Sequence, residues 1–217
     1  MRKLVDGYKK FREEVYPDHK EDFARLAKTQ NPDTLFITCS DSRIDPALLM
    51  QTKPGELFIC RNAGNIVPAH GDHNGGVSAT IEYAVNVLKV RDIVLCGHSD
   101  CGVMRGLLHP ERVAQLHNVS HWLRYGARAR AIVDEICGEG HSDVEKIMEL
   151  ARQNVLAQLD NLRTHPSVAA ANVKRGLQLH GWIYHIEDGE IYAWSPNRHN
   201  FLPLDTVPVG DEILAAV

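Results

Sequence analysis

The chain has 217 residues, 44% hydrophobic and 24% charged, which fits one large α/β domain and excludes a disordered chain. Lys and Arg number 24 against 28 Asp and Glu, a net charge of −4 that gives no electrostatic footing for nucleic acid or an anionic membrane. Residues 1–10 lack the apolar segment of a secretory signal, no apolar run approaches the ~18 residues of a membrane span, and an odd count of 5 cysteines argues against a disulfide framework, so the cytoplasm is the expected compartment.

In chain order, the spacing of Leu4, Tyr8, Phe11 and Val15 predicts an amphipathic helix over residues 3–15. Asp18 and Glu21 form a capping-box pattern for a second helix carrying Phe23, Leu26 and Ala27, which Asn31-Pro32 closes off. Residues 1–28 thus read as a helical arm ahead of the first core strand at 34–39. Asp45-Pro46 opens a short helix with Leu48, Leu49 and Met50, Pro54-Gly55 turns the chain, and a second strand follows at 57–60. After a loop at 71–76, Val77, Ile81, Ala84, Val85 and Leu88 recur as one helix face. A third strand at 93–96 leaves through Gly97 into His98, and Gly102 opens the next helix. Residues 111–137 are mostly helical, and Ser142 with Glu145 caps a long helix through Ile147, Leu150, Val155 and Leu159 to residue 162. His165-Pro166 ends it, and a short helix follows at 167–174. Strands at 177–186 and 190–194 flank Asp188-Gly189, a hairpin signal, and the tail beyond Pro196 reads as loop.

This alternation predicts an α/β fold: a central, mostly parallel β-sheet flanked by helices, with an antiparallel edge hairpin and the N-terminal helical arm, in a single domain over 1–217. In such sheets, sites form beyond the carboxyl ends of strands where the strand order reverses. Two of these ends carry reactive side chains, Cys39-Ser40-Asp41-Ser42-Arg43 and His98-Ser99-Asp100-Cys101. Taken singly, each residue has a plain explanation. Cys39 and Cys101 are small buried hydrophobes, His98 a hydrogen-bonded core histidine and Asp41 a helix cap. Taken together, two thiolates, an imidazole and a carboxylate are donors that zinc favours. Cys39, His98 and Cys101 leave a fourth position open, as catalytic zinc requires. Asp41 either fills that position or stands beside it, and Arg43 decides which by pairing with the carboxylate. Cys60, Cys96 and a helical Cys137 read as packed thiols, and the scattered histidines as surface or capping residues. Gly75-Gly76 is no phosphate loop, since no G-K-[ST] follows.

The two motifs resemble those of the β-class carbonic anhydrases. Arg61-Asn62-Ala63-Gly64-Asn65, Glu82-Tyr83-Ala84-Val85 and His180-Gly181-Trp182-Ile183-Tyr184 also match that family's pattern, and the resemblance spans nearly the whole chain. It extends to bacterial enzymes associated with cyanate breakdown and to the carboxysomal branch, without the long C-terminal extension of the latter. The resemblance implies reversible hydration of carbon dioxide to bicarbonate and a proton by attack of zinc-bound hydroxide. It implies one zinc per chain on Cys39, His98 and Cys101, with Asp41 held by Arg43 and accepting the hydroxide's hydrogen bond. The pocket residues of the plant-like branch fall on Gln30, Phe58 and Tyr83, and the Gly102 N–H helps to hold bicarbonate. The other branch has a regulatory bicarbonate site. Arg61 and Tyr184 match it, but its tryptophan is Phe36 here, which has no indole N–H to donate. An open site is therefore expected. The family places the pocket at a dimer interface and wraps the N-terminal helix around the partner. A homodimer or larger dimer-based oligomer is expected, with no nucleic-acid or membrane partner. Two other functions use the same residues: a carbon disulfide or carbonyl sulfide hydrolase on this fold, and a non-catalytic zinc protein with Asp41 permanently on the metal. An intact Arg43 argues against the second.

Overall fold

The computed structural model describes residues 1–72 and 75–207. The chain divides into two units, Met1–Asn31 and Pro32–Val217.

In the first unit, helix α1 (Arg2–Lys10) continues through a π-helical turn at Phe11–Val15, as the apolar spacing predicts. A 3-10 turn at Tyr16–His19 then leads into α2 (Lys20–Leu26). The predicted Asp18/Glu21 capping box does not form. Pro17 and Asp18 both lie inside the 3-10 turn, and α2 is capped by His19 without a side-chain hydrogen bond. Neither helix buries a residue fully. What the unit packs instead is an aromatic cluster, with the ring of Phe23 6.1 Å from Phe11 and stacked 5.6 Å from Tyr16.

Among the described residues, the second unit is built on six strands in the order β2-β1-β3-β4-β5-β6. These are β1 (Thr34–Cys39), β2 (Leu57–Asn62), β3 (Asp92–His98), β4 (Gln178–Tyr184), β5 (Ile191–Ser195) and β6 (Asn200–Pro203). The first four run parallel, and β5 and β6 run antiparallel. Strands β1 and β3 are apolar and buried along nearly their whole length, the signature of central strands covered on both faces. The chain places β2 on one side of β1 and then crosses to place β3 on the other. The strand order therefore reverses between β1 and β3, and Cys39 and His98 end those two strands.

Helices α3 (Pro46–Met50) and α4 (Gly76–Tyr83, extended by a π turn to Leu88) follow the predicted positions. The N-cap of α3 is Asp45, whose Oδ1 accepts from the Ala47 and Leu48 N–H groups, so Asp41 is not a helix cap. After β3 come α5 (Gly102–Leu108), α6 (His117–Leu123) and α7 (Ala127–Ile136), with Cys137 as the extended C-cap of α7 rather than a helical residue. The long helix α8 (Asp143–Thr164) opens on the predicted capping box: Ser142 Oγ accepts from Glu145 N–H, and the Glu145 carboxylate accepts from Ser142 N–H. Its apolar face seats against β3 and β4, where Gly181 makes room. A Cβ there would lie 2.7 Å from Leu159 Cδ1 and 2.9 Å from Val155 Cγ1. Helix α9 (Pro166–Arg175) completes the set.

The tail beyond Pro196 departs from its predicted loop. Strand β6 pairs with β5 and buries Phe201, whose ring lies 5.3 Å from Trp194. Four residues ending in proline carry too little period to read as a strand. Of the predicted loop at 71–76, His73 and Asn74 lie outside the described residues, as does the tail from 208 on. Among the described residues, no helix is long and apolar enough to cross a membrane.

Candidate metal centre

Three donors converge at the strand-order reversal. The Sγ atoms of Cys39 and Cys101 and a ring nitrogen of His98 lie within 4.8 Å of one another, on three buried residues. Cys39 arrives from the end of β1, His98 from the end of β3, and Cys101 caps α5. The His98 tautomer follows from its partner. Nδ1 lies 2.8 Å from the Ser99 carbonyl, which only accepts, so Nδ1 carries the proton and Nε2 keeps its lone pair. That Nε2 is buried without a hydrogen-bond partner. An orphaned imidazole nitrogen facing two thiols is costly in a protein interior and is what a bound cation satisfies. Two sulfurs and one imidazole nitrogen fit zinc.

The thiols titrate as a pair. The hydrogen bond from Cys101 is the largest of several effects that pull Cys39 down to about 4, against the cost of its burial. The same contact with the Cys39 thiolate, followed by burial, pushes Cys101 up. A cation arriving between them is what lets the second proton leave. Gly64 N–H also donates to Cys39 Sγ, at 3.3 Å.

Asp41 stands beside this set, its Oδ2 3.9 Å from His98 Nε2, and Arg43 holds it there. Arg43 Nε donates to Asp41 Oδ1 at 2.9 Å and Nη2 to Oδ2 at 2.8 Å, while the Arg43 N–H donates to Oδ1 at 3.0 Å. This fork keeps the carboxyl well below the usual carboxylate range. Arg61 supports the same loop from β2, donating to the Cys39 carbonyl at 3.0 Å and the Asp41 carbonyl at 2.6 Å.

Of the residues predicted to line the pocket, Phe58 is set back from the metal donors within the chain. Phe58 and Tyr83 do pack together, ring centroids 5.9 Å apart, and Tyr83 is exposed. Yet the β1–β2 register sets Phe58 opposite Leu35 and Asn62 opposite Cys39, so Phe58 lies four residues, about 13 Å, back along its strand. Gly102 opens α5 next to Cys101, and Gln30 is an exposed residue of the first unit. Phe36 packs edge-on against Trp182 in the core, Tyr184 is buried, and Arg61 is occupied with the two backbone carbonyls.

Supporting contacts that sequence reasoning missed lie one layer further out. The Ser99 hydroxyl donates to Glu187 at 2.6 Å and accepts from Ile186 N–H at 3.0 Å, which fixes the carbonyl that orients His98. On α8, Asn154 and Gln158 are fully buried. Asn154 Nδ2 donates to the Gly64 carbonyl at 3.0 Å, Gln158 Nε2 donates to Asn154, and Gln158 Oε1 accepts from Val67 N–H. Their signal was present as two amides four residues apart between Ala151, Val155 and Leu159 on an otherwise apolar face.

The chain is similar to proteins of known family. The family described as carbonic anhydrase matches residues 34–191. A carbonic anhydrase of Pseudomonas aeruginosa is 49% identical over 208 residues, covering 96% of this chain and 94% of that protein. Carbonic anhydrase 1 of Escherichia coli O157:H7 is 48% identical over 209 residues, with coverage of 96% and 94%. Among solved structures, the β-carbonic anhydrase CcaA superimposes with a TM-score of 0.91 at 41% identity, over 94% of this chain and 91% of that one. One of two tetrameric β-carbonic anhydrases from Sordaria macrospora gives 0.70 at 34% identity, over 88% and 92%. With two thiols and an imidazole buried together at the reversal of a mostly parallel sheet, the chain belongs to the β-class carbonic anhydrases, a family of zinc enzymes.

Proposed function

We propose that this chain interconverts carbon dioxide and bicarbonate at a zinc ion held by Cys39, His98 and Cys101, with Asp41 and Arg43 as the gate and orienting pair. The observation that carries this reading is the two-bond grip of Arg43 on Asp41 beside the orphaned His98 Nε2. Zinc, when bound, supplies Lewis acidity that brings the pKa of a water down to about 7. The chain's own residues do the rest. Asp41, kept ionised by Arg43, is an acceptor only. It takes the hydrogen bond of the attacking oxygen and fixes the direction of its lone pair. Cys39, Cys101 and His98 would hold the zinc, and Asp41 would stay off it while paired with Arg43. Apolar walls suit an uncharged linear substrate, and Phe58 and Tyr83 supply them, with the Gln30 amide and the Gly102 N–H as donors to substrate oxygens.

The register argues that these walls serve a partner's metal, since within one chain Phe58 is set back from Cys39. We therefore read the protein as a homodimer or larger dimer-based oligomer, one catalytic domain over 1–217 with residues 1–28 as an arm toward the partner, acting in the cytoplasm. The tetrameric Sordaria relative supports an oligomer. Deleting residues 1–28 and finding an unchanged, active dimer by light scattering rejects the role given to the arm. The buried Phe36 and the occupied Arg61 support a chain without a regulatory bicarbonate site.

Stopped-flow carbon dioxide hydration against pH, on protein of known zinc content, tests the main reading. Fast turnover near neutral pH is expected from an open site. Activity confined to pH well above neutral means Asp41 rests on the metal and overturns it.

A further inference from the structure

Arg43 has a second set of partners. While Asp41 takes Nε and Nη2, the Asp100 carboxylate accepts from Nη1 at 3.1 Å and the Asp100 carbonyl accepts from Nη2, also at 3.1 Å. The other carboxylate oxygen of Asp100 accepts from Arg105 Nη2. Charges thus alternate along Asp41, Arg43, Asp100 and Arg105, from the loop after β1 to the helix α5. Asp100 sits between His98 and Cys101 with φ of +50°, a conformation that aspartate tolerates better than most residues. Its place is therefore fixed by the two donors that flank it. Arg105 takes up the charge of Asp100, so Asp100 can anchor the guanidinium without cancelling the positive charge that Asp41 needs.

We propose that Asp100, braced by Arg105, is a positioning residue that locks Arg43 in the orientation presented to Asp41, and so sets the balance between the open site and the site closed by Asp41. A free arginine side chain on the surface samples many rotamers, and holding one of them for Asp41 has an entropic cost. Asp100 meets that cost in advance by gripping the far end of the fork. Loss of the anchor leaves Asp41 to be held by a mobile Arg43, and the carboxylate spends more time on the metal. This inference rests on the reading of Asp41 and Arg43 as the gate.

The test is azide binding to the cobalt-substituted protein at neutral pH, followed by its visible absorption. An open position takes the anion directly, whereas a closed one requires Asp41 to be displaced, which weakens apparent affinity in proportion to the closed population. Asp100→Ala is expected to weaken azide by about threefold to tenfold, the loss of a charge-assisted hydrogen bond discounted for exposure. Asp100→Asn keeps an acceptor and tolerates the positive φ, so it is expected to stay within about twofold of wild type. Arg105→Gln is expected to move affinity in the same direction as Asp100→Ala by less. Cobalt content of one per chain is the control. If Asp100→Ala does not load, Asp100→Gly, which suits the backbone, and Arg105→Gln carry the test. Azide affinity unchanged in Asp100→Ala or Asp100→Gly overturns the proposal, as does equal weakening by Asp100→Ala and Asp100→Asn. Arg43→Ala separates the two readings. If it leaves azide affinity unchanged, the gate itself fails; if it weakens azide while the Asp100 variants do not, only the role of Asp100 fails.

Discussion

Substitution of Gly64 by alanine tests how tightly the loop under the metal donors is built. The residue has φ of +80°, and a Cβ there would lie 2.5 Å from Val103 Cγ1 and 3.0 Å from Val103 Cβ. An L side chain in the left-handed region costs about 1–2 kcal/mol. Val103, β-branched and in the first turn of α5, has one strongly preferred rotamer and cannot swing aside, so overpacking adds about 1–3 kcal/mol. The sum, about 2–5 kcal/mol, corresponds to a fall in Tm of roughly 4–20 °C for a domain of this size. Urea and thermal unfolding of the zinc-loaded protein, at one fixed protein concentration, measure it. The double variant Gly64→Ala/Val103→Ala removes the 2.5 Å contact with Cγ1 and leaves the backbone strain and the Cβ contact, so the cycle shows favourable coupling between the two changes. A single variant within about 0.5 kcal/mol of wild type refutes the argument. Strict additivity in the cycle refutes its steric half.

Two further expectations concern the same loop and the thiol pair. Asn154→Ala strips the Gly64 carbonyl and the Gln158 amide of a buried partner, a cost of about 1–3 kcal/mol by urea unfolding. Because the Gly64 N–H bonds Cys39 Sγ, zinc is also expected to pass faster to a competing chelator, and an unchanged transfer rate shows that the loop is held without Asn154. In the metal-free protein, Cys39 is drawn from 9.0 down to about 4, so the stability its ionised form contributes is full above pH 9 and lost as pH falls toward 4. Cys101 is shifted upward, so the contribution of its neutral form is present below pH 9 and lost as pH rises beyond that. The urea midpoint of metal-free protein is thus expected to rise from pH 5 toward 8 and to decline in more alkaline buffer. Cys39→Ser flattens the rise, and an equal rise in that variant assigns it elsewhere.

What could be read from the sequence, and what could not, divides along physical lines. Strands β1 and β3 were legible because strands covered on both faces are apolar runs, and the box at Ser142 and Glu145 because a cap is a local contact. The donors were legible because metal chemistry restricts residue type, and their convergence because strand-order reversals make sites. Strand β6 was not legible, since four residues and a proline carry no period. Nor was the box at Asp18 and Glu21, where Pro17 sets the backbone before the side chains compete. The part Arg61 plays in the site was not legible either, since a long-range strand pairing puts its guanidinium on the Cys39 and Asp41 carbonyls.

The β1–β2 register has a last consequence for activity. Metal donors, Asp41 and Arg43 are all placed by one chain, whereas Phe58, which packs on Tyr83, is set back from that chain's own Cys39. In the proposed oligomer, zinc retention is therefore a property of the folded chain, and the substrate wall a property of the assembly. Dilution through the dimer dissociation range is expected to abolish carbon dioxide hydration while each chain keeps its zinc. Zinc retained on a gel-filtered monomer, with activity recovered on reconcentration, meets that expectation. A monomer of full specific activity shows instead that one chain completes its own pocket, and Phe58→Ala then costs activity in monomer and dimer alike. Zinc released in step with dissociation shows that the partner stabilises the donor set as well. In the proposed assembly the same substitution, placed on one subunit of a mixed dimer, impairs only the site of the other.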